Sequence, residues 1–467
     1  MNPIKELLTR RMVKEAVSLF AKGDDRALEK AFSIGKNVAL TGYHKGLMGH
    51  LAKVVEEEHP ALNLIKKLAK QINPNCRDKF VVNFFVGGLK CSEMRNKISK
   101  DEGIKVPFFL VISPTMRCNL RCIGCYAGDY SKRDDMQFEL MDRILIEAKE
   151  LGIHFITISG GEPFYWPHLL DILEKHQDMA FQIYTNGTLI DEPTANRLAE
   201  LGNAAPCISI EGTQDETDSR RGKGTFGIIM DTMDRLWEKG MIFGFSATVT
   251  RHNVDTLTSE EFIDNMIEKG CSFGWYFIYV PVGKNPDMEL MVKPEQRDRL
   301  RRSLQWVRGN KPIFVGDFWN DGCWVGGCIA GGREYLHIIH NGDVEPCVFT
   351  HFAVDNIKEK SLKEVISSPF FKNIQKRQPY NDNLLRPCML IDAPQVLREI
   401  VAETGAHPTH PGAEALITSL ASEVDQYARK YGEIANRVWE EEYLADPVWR
   451  NRIERWNKKF RQQKVGV

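Results

Sequence analysis

The sequence predicts an α/β protein: a partial (β/α)6 TIM-like barrel with an N-terminal helical region, a small cysteine-rich C-terminal domain and a helical tail. Three observations carry that expectation. From Val106, β-type apolar runs alternate six times with amphipathic helical patterns, the signature of a parallel sheet. The stretch before them is helix-periodic throughout. After about residue 312 the rhythm gives way to glycine turns and cysteines. The expected division is 1–105 helical, 106–312 barrel, 313–400 cysteine-rich and 401–467 tail. A doubly wound open sheet is the alternative architecture.

In the first region Ile4, Leu7, Leu8, Val13, Ala16, Val17 and Phe20 recur at helical spacing, and Leu40–Val55 and Leu62–Ile72 continue it. Breakers at Gly23-Asp24-Asp25 and Asn73-Pro74-Asn75 separate the segments. Phe80–Leu89, FVVNFFVGGL, is the most apolar piece. It reads as a helix packed on the barrel or, more sharply, as a gate over a substrate channel or a membrane-surface contact. Strands are expected at Phe108–Ile112, His154–Ser159, Phe181–Tyr184, Cys207–Ile210, Phe243–Val249 and Phe273–Val280. The helices between and after them are Met136–Leu151, Leu169–His176, Glu192–Leu201, Phe226–Lys239, Glu260–Lys269 and Pro294–Val307.

Composition narrows the classes. With 467 residues, a formal net charge of −1 and 43% hydrophobic content, the chain is globular and has no global pull toward nucleic acid. It contains no uninterrupted apolar run of about 18 residues, and its first residues lack a signal peptide's apolar core. A cytoplasmic location is therefore expected, where eleven cysteines argue for metal or redox chemistry over disulfides.

Directly after the first strand, Cys118, Cys122 and Cys125 form a C-x3-C-x2-C array flanked by Arg117 and Arg121. Guanidinium groups favour thiolates, and thiolates bind soft metal centres. Three thiolates at this spacing hold three irons of a [4Fe–4S] cube and leave the fourth open to a small molecule. Structural zinc wants four protein ligands, and no fourth lies nearby in sequence.

This array resembles the signature of the radical SAM superfamily. Gly124 stands where that family usually has an aromatic residue, and Tyr126 follows the third cysteine. Gly160-Gly161-Glu162-Pro163 resembles the family's GGEP motif: two glycines allow close backbone approach, Pro163 stiffens the turn, and the carbonyls with the Glu162 carboxylate suit a ligand ammonium. Thr185-Asn186-Gly187 resembles the TNG turn. Ser209 and Glu211 resemble the end of the fourth strand, with Glu211 in place of the commoner Asp. Arg221 matches the following arginine, a partner for the methionine carboxylate. The resemblance implies a [4Fe–4S] cluster, S-adenosylmethionine cleaved reductively to a 5′-deoxyadenosyl radical, and hydrogen abstraction from an unactivated carbon. Gly222–Gly227 satisfies G-x-G-x-x-G but does not directly follow a strand, so a phosphate role is rejected.

Cys328-Ile-Ala-Gly-Gly, followed by Asn341-Gly342-Asp343-Val344-Glu345-Pro346-Cys347, resembles the hairpin of SPASM/twitch domains; Asn341-Gly342 is a hairpin signal in its own right. The resemblance implies one auxiliary iron–sulfur cluster on Cys323, Cys328, Cys347 and Cys388, with structural zinc as the competing occupant. Cys76, Cys91, Cys207 and Cys271 read as inert core thiols, and His407 and His410 as loop residues. The expected partners are an electron donor such as a flavodoxin or ferredoxin and a peptide or lipid substrate. The tail carries Trp439, Trp449 and Trp456 and, from Val448, seven basic residues against Glu454, which suits a peripheral membrane contact. The non-enzymatic alternative is a metal-stabilised binding module or electron carrier.

Overall fold

The computed structural model describes residues 59–465 together with Arg11, Glu15 and Glu57. The helical patterns expected at 4–20 and 40–55 lie outside the described residues. The first described helices are α1 (Ala61–Gln71) and α2 (Pro74–Lys79); the chain then passes through a π-helix, Phe80–Val86, into α3 (Gly87–Glu102). Asn73 caps α2 by accepting from the Cys76 amide and donates to the Lys239 carbonyl, both at 2.9 Å. Asn75 donates to the Ala199 and Glu200 carbonyls, and Asn83 to those of Gln177 and Met179. These acceptors all precede sheet strands. The helices therefore lie across the end of the sheet where its strands begin.

The barrel strands are β1 (Phe109–Ser113), β2 (Phe155–Ile158), β3 (Ala180–Thr185), β4 (Ala204–Ser209), β5 (Gly244–Val249) and β6 (Phe273–Ile278), each parallel to the next. Their cores are near-continuous Ile, Val and Phe runs because helices bury the outer face. The connecting helices are α4 (Phe138–Glu150), α5 (Leu169–Lys175), α6 (Glu192–Leu201), α7 (Gln214–Arg221), α8 (Thr225–Glu238) and α9 (Glu260–Glu268), with α10 (Pro294–Asn310) after β6. Local chemistry sets their starts: Asp191 caps α6 ahead of a first-turn proline, and Thr213 with Glu216 forms a capping box on α7.

The parallel rhythm does not stop at 312. β7 (Phe314–Asp317) pairs parallel with β6. On the opposite edge, β8 (His337–Ile339) pairs parallel with β1, and the β8–β9 hairpin (β9, Asp343–Glu345) turns at Gly342, φ 96°. The sheet order is β10-β9-β8-β1-β2-β3-β4-β5-β6-β7, where β10 is Asp355–Asn356, and its two edges are not paired with each other. The cysteine-rich segment thus extends the barrel sheet at both edges. A buried chain of hydrogen bonds fastens the join: Ser113 to His337, His337 to Glu345 (both 2.7 Å), and the Tyr130 hydroxyl to Glu345 (2.6 Å).

The tail folds as α11 (Ala421–Val438), a π-helix Trp439–Leu444 and α12 (Pro447–Val465). Its tryptophans turn inward. Trp439 stacks near Tyr443, Trp449 packs edge-on to Trp324 at 4.7 Å, and Trp456 lies against Gly326. Among the described residues no helix is long and apolar enough to cross a membrane.

Candidate active site

Parallel pairing brings the carboxyl ends of β1 to β6 to one rim, and the cluster loop leaves β1 there. Cys118, Cys122 and Cys125 all line one cavity of about 740 Å³. Tyr126, Gly160, Gly161, Asn186, Ser209 and Arg221 line the same cavity.

The glycine pair acts on the loop. A Cβ at Gly160 would stand 2.3 Å from the Thr115 carbonyl oxygen, and one at Gly161 2.3 Å from that of Arg117. The Gly161 and Glu162 amides donate to those same two carbonyls, at 2.9 and 2.8 Å. Only glycine lets the strand end lie this close to the backbone leading into Cys118.

Glu162 departs from its expected role. It is fully buried, is absent from the cavity wall, and its oxygens accept from the Thr185 hydroxyl (2.6 Å), the Phe164 amide (3.1 Å) and the Asn186 amide (2.7 Å). The carboxylate positions the third strand end and is not turned to a ligand ammonium. Burial raises its pKa while these donors and Arg221 oppose the rise. Pro163, itself buried, begins a turn of 3₁₀ helix beside it. Asn186 donates to Asn119 at 2.9 Å and approaches the Cys118 sulfur at 3.8 Å, clipping the loop to β3.

The arginines near the thiols are not the ones expected. Arg117 is paired with Asp135, and Arg121 is exposed. Arg220 and Arg221 line the cavity instead, and the Ile123 amide donates to the Arg220 carbonyl at 2.9 Å. Burial pushes the Cys118 thiol up to about 11 and raises Cys125, with Arg220 and Arg221 acting against the rise at Cys125. Arg221 gives its Nε and Nη2 edge to Glu211 Oε1, at 2.8 and 2.5 Å, and Arg220 shares that oxygen. The expected use of that fork as a carboxylate clamp is thus met inside the protein by Glu211. Ser209 faces Ser246 at 3.3 Å.

Gly124 has φ 65°, and a Cβ there would stand 2.6 Å from the Tyr279 ring, so Tyr279 from the end of β6 fills the space before the third cysteine. The Tyr126 hydroxyl shares a hydrogen bond with that of Ser159 (2.7 Å) and its ring packs on Phe349, joining the loop to the cysteine-rich segment. Burial pushes its phenol up to about 12. In the rejected G-x-G-x-x-G stretch, the Gly224 and Phe226 amides donate to Asp218, both at 2.8 Å, leaving them committed within the loop.

Cys328, Cys347 and Cys388 line a second cavity of about 410 Å³. Cys323 does not. It is fully buried in a short helix, Gly322–Val325, among Arg301, Asp321 and Tyr443. Of the four cysteines expected to hold an auxiliary cluster, three line this cavity. Tyr335 donates to the Cys347 sulfur at 2.9 Å, and burial holds that thiol up at about 12. Among the described residues no three His, Cys, Asp or Glu side chains, at either set of cysteines, are grouped to hold a single metal ion. Phe318, Ile329 and Phe349 line both cavities and form the wall between them.

Sequence reasoning missed Arg220, Tyr279 and the buried contact of His410 with His351 at 2.7 Å; His410 is not a simple loop residue. Arg220 precedes the recognised arginine by one position, and Tyr279 sits on an alternating strand end.

Residues 112–266 match the model of the Radical SAM superfamily, and residues 328–389 match that of an iron-sulfur cluster-binding domain, SPASM. The chain thus carries a radical SAM domain followed by a SPASM domain; the cofactors of such domains are a [4Fe–4S] cluster with S-adenosylmethionine, and auxiliary iron–sulfur clusters. It is 31% identical over 150 residues to the Fe-coproporphyrin III synthase of Methanosarcina barkeri, covering 31% of this chain and 38% of that one. It is 24% identical over 286 residues to the PqqA peptide cyclase of Ruegeria pomeroyi, covering 56% and 74%. The match to an uncharacterised Archaeoglobus fulgidus protein, 26% identical, covers 50% of this chain and 60% of that one, so two of these relatives are matched over less than two thirds of their length. Streptococcus suis SuiB bound to its precursor peptide SuiA has the same fold, with TM-score 0.54 at 21% identity over 64% of this chain and 75% of that one.

Proposed function

We propose that this chain is a radical SAM enzyme that abstracts hydrogen from an unactivated carbon of a peptide or lipid substrate. The observation that carries the reading is one cavity shared by three thiols, two guanidinium groups and the ends of β2, β3 and β4. Cys118, Cys122 and Cys125 hold the cluster, while the Gly160 and Gly161 backbone, Asn186, Ser209 and the remaining edge of Arg221 hold S-adenosylmethionine. When bound, this pair supplies one-electron cleavage of S-adenosylmethionine to methionine and a 5′-deoxyadenosyl radical. The protein's part is to orient the ligands and exclude water. Arg220 and Arg221 offset the negative charge of the thiolates, Asn186 fixes the loop, and Tyr126 and Phe349 close the side toward the second cavity. Cys328, Cys347 and Cys388 hold an auxiliary cluster, and a flavodoxin or ferredoxin supplies the electron.

The test is anaerobic reconstitution with iron and sulfide, reduction, and assay of 5′-deoxyadenosine. Formation by the wild type and its loss in Cys122→Ala supports the reading. A fully loaded protein that leaves S-adenosylmethionine intact fits the electron-carrier alternative.

A further inference from the structure

The interior of a (β/α) barrel is ordinarily filled by layers of side chains. Here it is hollow. The cavity that opens at the three cysteines continues down the barrel axis to Ala180, Ala204 and Phe273 at the starts of their strands, and on to Leu64, Leu68, Phe80 and Phe84 of the capping helices. Ala180 and Ala205, on the inward faces of β3 and β4, leave the axis clear where larger residues would fill it. An aromatic set lines the lower part: Phe80 stacks on Phe84 at 5.4 Å, Phe84 meets Phe155 edge-on at 5.4 Å, and Phe109 lies 5.8 Å from Phe155. Its upper part, at the three cysteines, Gly160 and Arg221, is the cluster and S-adenosylmethionine site; the apolar part below it, down to the capping helices, is more than a packed interior tolerates empty.

From this geometry we infer that the channel seats a single long hydrocarbon chain, one end of which lies beside the cluster loop. The inference rests on the radical reading for the purpose of that placement and names the substrate class within it. The depth fits. Strands of about six residues rise roughly 3.3 Å each, about 20 Å along the strand and about 16 Å along a barrel axis from which they tilt by roughly 36°. One acyl chain spans half of a bilayer's roughly 30 Å core, about 15 Å. The chemistry of the wall fits as well. A peptide threaded here would bring an N–H and a C=O with every residue, each needing a partner. The strand amides and carbonyls around the channel are already paired with one another. The lower wall is mostly phenyl rings and methyl groups, with Lys79, Gln182, Asn203 and Ser272 as its polar members. A hydrocarbon chain asks nothing of such a wall but contact.

The test is displacement of pyrene-labelled dodecanoate from the full-length protein by saturated fatty alcohols of 8 to 18 carbons, followed by fluorescence. Each methylene drawn into the channel is expected to tighten displacement about fourfold until the channel is full. Ala205→Trp, which fills the axis, is expected to weaken probe binding at least tenfold; the chain-length series on the wild type needs no variant to fold. Displacement independent of chain length overturns the inference. So does an apolar nonapeptide that displaces the probe as well as hexadecanol, because the channel then takes a peptide. Binding requires neither electron transfer nor S-adenosylmethionine, so the two readings fail separately. Chain binding without 5′-deoxyadenosine formation leaves the channel and removes the radical reading; the reverse removes the channel alone.

Discussion

At the end of β2, three donors converge on the two oxygens of buried Glu162. Removing that acceptor strands all three, at roughly 1–3 kcal/mol each. Glu162→Ala is therefore expected to destabilise the fold by about 3 kcal/mol or more, read as a lower urea midpoint. Unchanged stability would place the carboxylate outside the frame. Gly161→Ala tests the neighbouring contact, since its Cβ meets the Arg117 carbonyl, which a side-chain rotation cannot relieve. It is expected to lose most of the first cluster's iron, whereas Gly227→Ala, with open space around its Cβ, retains it. The thiols add a pH dependence. Burial holds Cys118 at about 11, and metal loading requires the deprotonated form. The thiolate fraction below that value rises about tenfold per pH unit. Iron uptake during reconstitution should accordingly speed up from pH 7 to pH 9; a flat profile would show that proton release does not limit it.

At the scale of elements, the three-cysteine set of the second cavity makes a sharp distinction. Cys388→Ala is expected to remove about four irons per chain, one cubane cluster, while Cys323→Ala leaves iron content unchanged because Cys323 is buried outside the cavity lining, near Arg301 and Tyr443. Equal losses from both would return Cys323 to the ligand set. The sequence carried the six strands and their helices well, because doubly buried strands are apolar runs and amphipathic helices repeat at 3.6 residues. It did not carry β7, whose FVGD offers four residues and a glycine, or the pairing of Val111 with His337, which joins positions 226 residues apart. Spacing located the cluster loop, GGEP and the Asn186 turn. It could not tell which way Glu162 points or that Glu211 occupies Arg221, because both depend on neighbours contributed by other strands.

Across the whole molecule, the barrel and the cysteine-rich segment are locked by Arg297 of α10. Its fork reaches Asp392 at 2.7 and 3.1 Å, both side chains fully buried, and Asp392 also accepts from the Cys388 amide at 3.0 Å. Breaking a buried pair from one side leaves an uncompensated charge, typically about 3–5 kcal/mol. Arg297→Met is expected to cost that much in urea unfolding and to lower auxiliary iron through Cys388. The shared wall of Phe318, Ile329 and Phe349 makes the two cavities neighbours, while the inward tryptophans of the tail serve packing. The described residues thus form a partial, open barrel with the three-cysteine loop at one end of its cavity and helices across the other.

The most direct measurement is electron paramagnetic resonance of the reduced Cys328→Ala/Cys347→Ala protein, which carries only the Cys118–Cys122–Cys125 cluster. If those thiols leave one iron open, saturating S-adenosylmethionine changes the g-values of the signal. A well-loaded cluster whose spectrum is identical with and without S-adenosylmethionine contradicts the open-iron site.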